Sequence, residues 1–207
     1  MISALVAGLR PARPLRRRDG AAWAVLAIAL GAAGMIAAFG LRNDLLGGRP
    51  PSLFLLSSGL FLVLAIASAW AVVEQAQPYV GIRREGWGWT AMMAAVLPLS
   101  AAVLVGIDWF QGIPLRLDRG GIDCLGYGIV WGMFTATALV LWLRRGAPTA
   151  PLRAGLLTGV AAGSAGVFAV SLHCPSNDIL HIGVWHGCTV ILCGVLGRLI
   201  VPRLIAW

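Results

Sequence analysis

Six stretches of this chain run for about twenty residues with no charged side chain near their middles: 21–41, 53–73, 87–107, 124–143, 152–172 and 182–201. A bilayer's hydrocarbon core is crossed by about 20 apolar residues of helix. In lipid each backbone N–H and C=O must find its partner within the protein, so an isolated apolar segment can cross only as a helix. The pattern predicts an all-α polytopic membrane protein, six transmembrane helices in a bundle. Charged residues make up 12% of the chain and hydrophobic residues 59%, whereas a soluble domain is about one quarter charged. The solvent this sequence expects is a lipid bilayer.

Orientation follows from the arginines, which are all sixteen of the basic residues. With the N-terminus inside, twelve fall on the inner side: Arg10, Arg13, Arg16, Arg17, Arg18, Arg83, Arg84, Arg144, Arg145, Arg153, Arg198 and Arg203. The outer side receives four: Arg42, Arg49, Arg116 and Arg119. Basic residues accumulate on the cytoplasmic side of membrane proteins, so both termini are expected to be cytoplasmic. The first apolar run is too long for a signal-peptide core, and no clear small-residue cleavage site follows it, so it is expected to stay as a span. The chain then divides into a cytoplasmic N-terminal segment, 1–20, and a six-span domain, 21–207. The net charge of +8 is spread between apolar runs and forms no single basic stripe, which argues against direct contact with nucleic acid.

Several functions are excluded by what is missing. No charged group lies mid-span, where transporters and proton pumps place theirs. No Walker loop, GxSxG, HExxH or CxxC occurs, and almost no chain lies outside the membrane to build a catalytic domain. The chain is read as non-enzymatic.

The chemistry-bearing residues gather in HCPSNDILHIGVWH, 173–186, between the last two spans. Polar groups at membrane depth are costly and mark functional sites by default. Thiolate and imidazole together suit zinc or copper, which makes His173, Cys174, His181 and His186 metal-ligand candidates. The competing reading is that these histidines are wetted headgroup-level residues and that Trp185 belongs to the aromatic belt. Cys124 opens the fourth span and Cys174 follows the fifth. At 1.5 Å per residue the two helices return both cysteines to nearly the same outer depth, where an oxidising compartment allows them to pair. Cys188 and Cys193 lie within the last span and read as small packing residues. Gly155, Gly159 and Gly163, and likewise Gly128 and Gly132, recur every fourth residue and predict close helix contact.

The first residues, MISALVAGL, place Ile2, Leu5, Val6 and Leu9 on one helical face. RPARPLRRR follows, an extended basic stretch that ends the helix. An apolar stripe of this kind serves equally as an interfacial helix on anionic lipid or as a helix-in-groove ligand for a cytosolic protein.

In order along the chain, LRPARPLRRR, GLRND, Cys124, APLRAGLLTGVAAG, HCPSND with the following WH, and GRLIVPRLIAW resemble the NrsF family of bacterial six-span membrane anti-sigma factors. The resemblance implies a multi-pass protein of the bacterial inner membrane that sequesters an extracytoplasmic-function sigma factor at the inner face. A metal or oxidative signal outside then releases it. It makes Cys124 and Cys174 the candidate sensory pair, through a disulfide or a metal, with His186 at the WH position. It makes Leu5, Leu9, Arg10, Pro11, Arg13, Pro14 and Leu15 the candidate partner-binding residues. No resident cofactor is expected; copper or zinc would enter as the signal. The alternative is a membrane redox or metal-handling protein that uses the same outer cluster.

Overall fold

The computed structural model describes residues 15–77, 87–111 and 120–206, apart from several side chains between 87 and 108. Every long element is helical, as lipid as solvent demands, and among the described residues there is no strand. In chain order, α1 spans Arg17–Phe39, α2 is one turn at Asn43–Leu46, α3 spans Ser52–Gln75 and α4 spans Trp87–Phe110. Then come α5, Gly121–Leu143, and α6, Pro151–Ser171. A continuous helical run, Ile179–Leu204, forms α7.

Five of these helices, α1, α3, α5, α6 and α7, are long and apolar enough to cross a membrane. The sequence predicts six. The remaining expected span, 87–107, lies within α4, a helix of 24 residues whose side chains are only partly described, and it is not counted among the five. The first helix also begins four residues before the expected boundary at 21, because Arg17 and Arg18 continue it.

Punctuation in the sequence sets the ends. Gly40, at a φ of +83°, turns the chain out of α1, a conformation that L side chains with a Cβ rarely adopt. Pro50 and Pro51 precede α3, and Pro151 occupies the first turn of α6, where a missing N–H costs nothing.

α6 is the hub of the bundle. It packs against α7, α5, α3 and α1, and 83% of its most apolar window is buried. Its sequence explains this position. Alanine, glycine, serine and threonine dominate it, so backbones approach from several sides. A Cβ at Gly166 would strike the Gly128 carbonyl of α5, and one at Gly159 would strike the Cys193 carbonyl of α7. Gly155, Gly159 and Gly163 meet the α7 backbone and Gly132 meets the Ala162 carbonyl of α6, so the glycine spacings predicted to serve close contact do so.

The helices that surround α6 turn large apolar side chains outward. Val25, Leu26, Leu55, Leu56, Val63, Val130, Ile191 and Leu199 are all exposed. An exposed apolar belt on so many helices fits acyl chains and not water.

Cores occupy both ends. At the end where α6 begins, Val72, Val73, Leu139, Trp142, Leu143, Leu157 and Val201 pack together. There the Trp142 Nε1–H donates to the Val73 carbonyl at 3.3 Å, and the Ala147 N–H donates to the Ala76 carbonyl at 3.0 Å. Arg17 pairs with Glu74 at 3.1 Å, and the Arg145 guanidinium lies 4.2 Å above the Trp23 ring. The opposite end holds Met35, Ala169, Val170 and Cys174.

Candidate functional site

Three elements converge at that opposite end. The first turn of α5 supplies Cys124, the connection after α6 supplies Cys174, and the start of α7 supplies His181 and His186. One ligand atom from each of the four lies within 4.8 Å of all the others. The Cys124 thiol donates to the Cys174 sulfur at 3.5 Å, and Cys174 Sγ is 3.6 Å from His181 Nε2. The two imidazoles meet edge to face, 5.3 Å between centroids.

The site is dry. Cys174, His181 and His186 are each less than 5% exposed, and Cys124 is half-buried. Met35, Ala169, Val170, Tyr127 and Trp131 surround the cysteines, and the Phe61 ring edges His186 at 6.1 Å. The Nε2 of His186 is buried and has no hydrogen-bond partner among the described residues.

Electrostatics favour thiolate at Cys174. The hydrogen bond from Cys124 holds its thiol well below the usual range, against burial that would raise it, and His181, His186 and a backbone bond at Ser176 act the same way. A thiolate is both the nucleophile for oxidation and the ligand for a soft metal.

Local helix geometry puts both histidines on one face. An α-helix advances about 100° per residue, so positions five apart diverge by about 140°. Residues Ile182–His186 instead form a π turn, whose i→i+5 closure brings residues five apart nearly into line. Trp185, within that turn, rests its ring where a Cβ on Gly121 would stand, so glycine at the start of α5 lets the turn seat itself.

Of the sequence-derived candidates, Cys124, Cys174, His181 and His186 are brought together. His173 is not. It is adjacent to Cys174 but faces another way: its Nδ1 is 3.2 Å from the Gly40 carbonyl, and its ring lies 5.5 Å from Phe39. Cys193 is buried against α6, whereas Cys188 is exposed. Leu5, Leu9, Arg10, Pro11, Arg13 and Pro14 lie outside the described residues. Leu15 is described and packs against the Trp142 core, while its carbonyl accepts from Gln77 at 3.2 Å.

One residue beside the site was not signalled by the sequence. Arg42 is 5% exposed. Its guanidinium donates twice to Asp44 at 2.6 Å, once to Asn177 at 2.9 Å, and lies 4.5 Å above the Phe54 ring. The Arg42 N–H donates to the Leu172 carbonyl at 3.0 Å. Arg42 therefore fastens the α1–α3 connection to both flanks of Cys174. An outer-loop arginine next to a carboxylate two residues away reads as a solvated pair; only Phe54 and Asn177 make it a buried clamp.

The family model described as NrsF, negative regulator of sigma F, matches residues 5–207. The probable anti-sigma-F factor NrsF of Azospira oryzae is 26% identical over 196 residues, covering 88% of this chain and 87% of that protein. The anti-sigma-F factor NrsF of Caulobacter vibrioides is 28% identical over 227 residues, covering 100% of this chain and 98% of that protein. No solved structure matches. With a family match along nearly its entire length, the chain belongs to the NrsF family of negative regulators of sigma F.

Proposed function

We propose that this protein is a membrane anti-sigma factor. It holds an extracytoplasmic-function sigma factor at the cytoplasmic face of the bacterial inner membrane and releases it when a metal or an oxidant acts on Cys124 and Cys174. The observation that carries the anti-sigma reading is full-length similarity to relatives named as anti-sigma-F factors. The sensing reading is supported by the 3.5 Å approach of the two sulfurs.

In this reading α4 completes six spans, both termini are cytoplasmic, and the role is regulatory and not enzymatic. The arginine asymmetry supports that orientation. The cysteines then lie at the outer end, and residues 1–20 lie at the inner end with the α5–α6 turn. Binding or oxidation at the cysteines alters how α5 and α7 seat on α6. Both contacts are backbone against glycine, so α6 has little slack to absorb the change, and it passes to the inner end. This coupling is inferred from contiguity.

The test is capture and release. The protein is purified from native membranes, its cytosolic companion identified, and release measured after addition of copper or diamide. A sigma factor should co-purify with the wild type and dissociate on treatment. In a stably inserted Cys124→Ser, Cys174→Ser variant it should remain bound. Normal release from that variant would retire the sensing reading; absence of any sigma factor would retire the anti-sigma reading.

A further inference from the structure

We infer that Cys124, Cys174, His181 and His186 form a closed, four-ligand site for one zinc-class divalent cation, in which both histidines are ligands and the π turn of α7 exists to align them. This specifies the ligand of the sensory site proposed above; the regulatory role rests on that reading, but the binding does not.

Distances come first. In tetrahedral zinc sites the metal lies about 2.3 Å from sulfur and about 2.0–2.1 Å from imidazole nitrogen, so ligand atoms stand about 3.3–3.8 Å from one another. The sulfurs here are 3.5 Å apart, and Cys174 Sγ and His181 Nε2 are 3.6 Å apart. Two edges of the tetrahedron are already set. The widest pair in the group, at up to 4.8 Å, includes an imidazole nitrogen and needs to close by at most about 1.5 Å to meet those limits.

Charge selects the cation. The surroundings are apolar and mostly buried, so a net charge left in the site is expensive. Two thiolates and two neutral imidazoles carry −2, which a divalent ion cancels. A monovalent copper ion would leave −1. No carboxylate belongs to the group, which disfavours magnesium and calcium. As each metal–sulfur bond forms, any proton still on that thiol passes to water, and no oxidant or reductant takes part.

The histidines supply the independent evidence. His186 Nε2 is a buried polar atom with no hydrogen-bond partner among the described residues, a condition native proteins rarely tolerate without a reason. Two histidines five residues apart on an α-helix would point to different sides; the π turn puts them beside the same pair of sulfurs. π turns inside helices recur at functional sites. Neither feature is needed by a simple two-cysteine redox switch.

The site would join the start of α5, the α6–α7 connection and the start of α7 through one ion. Binding of that ion draws all three together at once, which gives the sensor a single point of control.

Cobalt(II) is the probe. The full-length protein, reduced and held in lipid nanodiscs without air, is titrated with Co²⁺ and followed by absorption. The expected result is one ion per chain, with thiolate charge-transfer bands and the intense visible bands of four-coordinate cobalt, both displaced by Zn²⁺. His181→Ala and His186→Ala should each weaken binding at least about tenfold and abolish the four-coordinate bands. His173→Ala should change neither. His186→Cys should keep four-coordination with stronger charge transfer, which guards against a general folding defect in the alanine variant. Charge-transfer bands indifferent to both histidines, or no binding by the folded wild type, would overturn the site. Sigma-factor release is scored separately. An intact cobalt spectrum without regulated release rejects the sensing reading and leaves the site standing. Regulated release without the spectrum does the reverse.

Discussion

Cys124 and Cys174, fifty residues apart in the chain, place their sulfurs 3.5 Å apart and share a hydrogen bond. A disulfide requires about 2.05 Å, so a small approach of α5 toward the α6–α7 connection closes it. Diamide treatment of the membrane-embedded protein should form this bond, with two electrons and the thiol protons passing to the diamide. Intact mass should fall by two hydrogens, and peptide mapping should link 124 to 174. Cys124→Ser or Cys174→Ser should prevent the link. Recovery of both thiols unmodified from folded, oxidised protein would sink the prediction.

Gly159 and Gly166, seven residues and so about 20° apart around α6, let α7 and α5 respectively approach its backbone. A valine at either position must push a backbone carbonyl away, of Cys193 in one case and of Gly128 in the other. Gly159→Val and Gly166→Val should each destabilise the bundle by about 1–3 kcal/mol, the usual cost of overpacking, while membrane insertion persists. Gly59 meets nothing within 4 Å of its would-be Cβ, so Gly59→Ala should be neutral or slightly stabilising. Thermal unfolding in detergent distinguishes the three. Equal midpoints for all would refute the hub assignment.

Arg42 should be needed for stability and not only for charge. Arg42→Ala removes three charge-assisted hydrogen bonds and the stacking on Phe54. Its cost should be about 1–3 kcal/mol, in line with hydrogen bonds to charged groups. Arg42→Lys should recover little, because an ammonium cannot supply the planar fork that Asp44 accepts. Full recovery by lysine would show that charge alone suffices.

The same clamp predicts a direction with pH. The hydrogen bond from Arg42 holds the Asp44 carboxyl below its ordinary value of 3.8. A depressed carboxylate contributes stability that is fully present above the unfolded value and lost as pH falls through the folded one. The connection between α1 and α3 should therefore loosen only below about pH 4, seen as faster amide exchange at 41–46. Asp44→Asn should abolish that pH step. An unchanged step in the variant would assign it to another group.

At the other end, Leu5→Asp with Leu9→Asp should abolish capture of the sigma factor if the N-terminal apolar stripe is the docking face. Insertion should survive, since both residues precede α1. Because Leu15 already packs into the Trp142 core, Leu15→Ala should lower stability more than capture. Undiminished capture by the inserted double variant would move the docking face to the inner loops.

The helical architecture was legible in the sequence because lipid makes secondary structure a local matter: each apolar segment must satisfy its own backbone, so length and composition alone mark it. The common depth of Cys124 and Cys174 was legible for the same reason, through helix rise and the short turn between α5 and α6. Glycines at every fourth residue announced close packing but not its partners, and only the fold shows α6 pressed against both α5 and α7. The histidines could not be sorted from spacing. His173 is one bond from Cys174 in the chain yet turns toward Gly40, while His181 and His186 converge only because a π turn breaks the 100° step that spacing arguments assume. Arg42 was hidden most completely, since its burial depends on Asn177 and Phe54, contacts from distant parts of the chain. What the chain determined alone was where helices run and at what depth their ends lie; what tertiary structure decided was which side chains from different helices face one another, and where a helix departs from its regular step to let them.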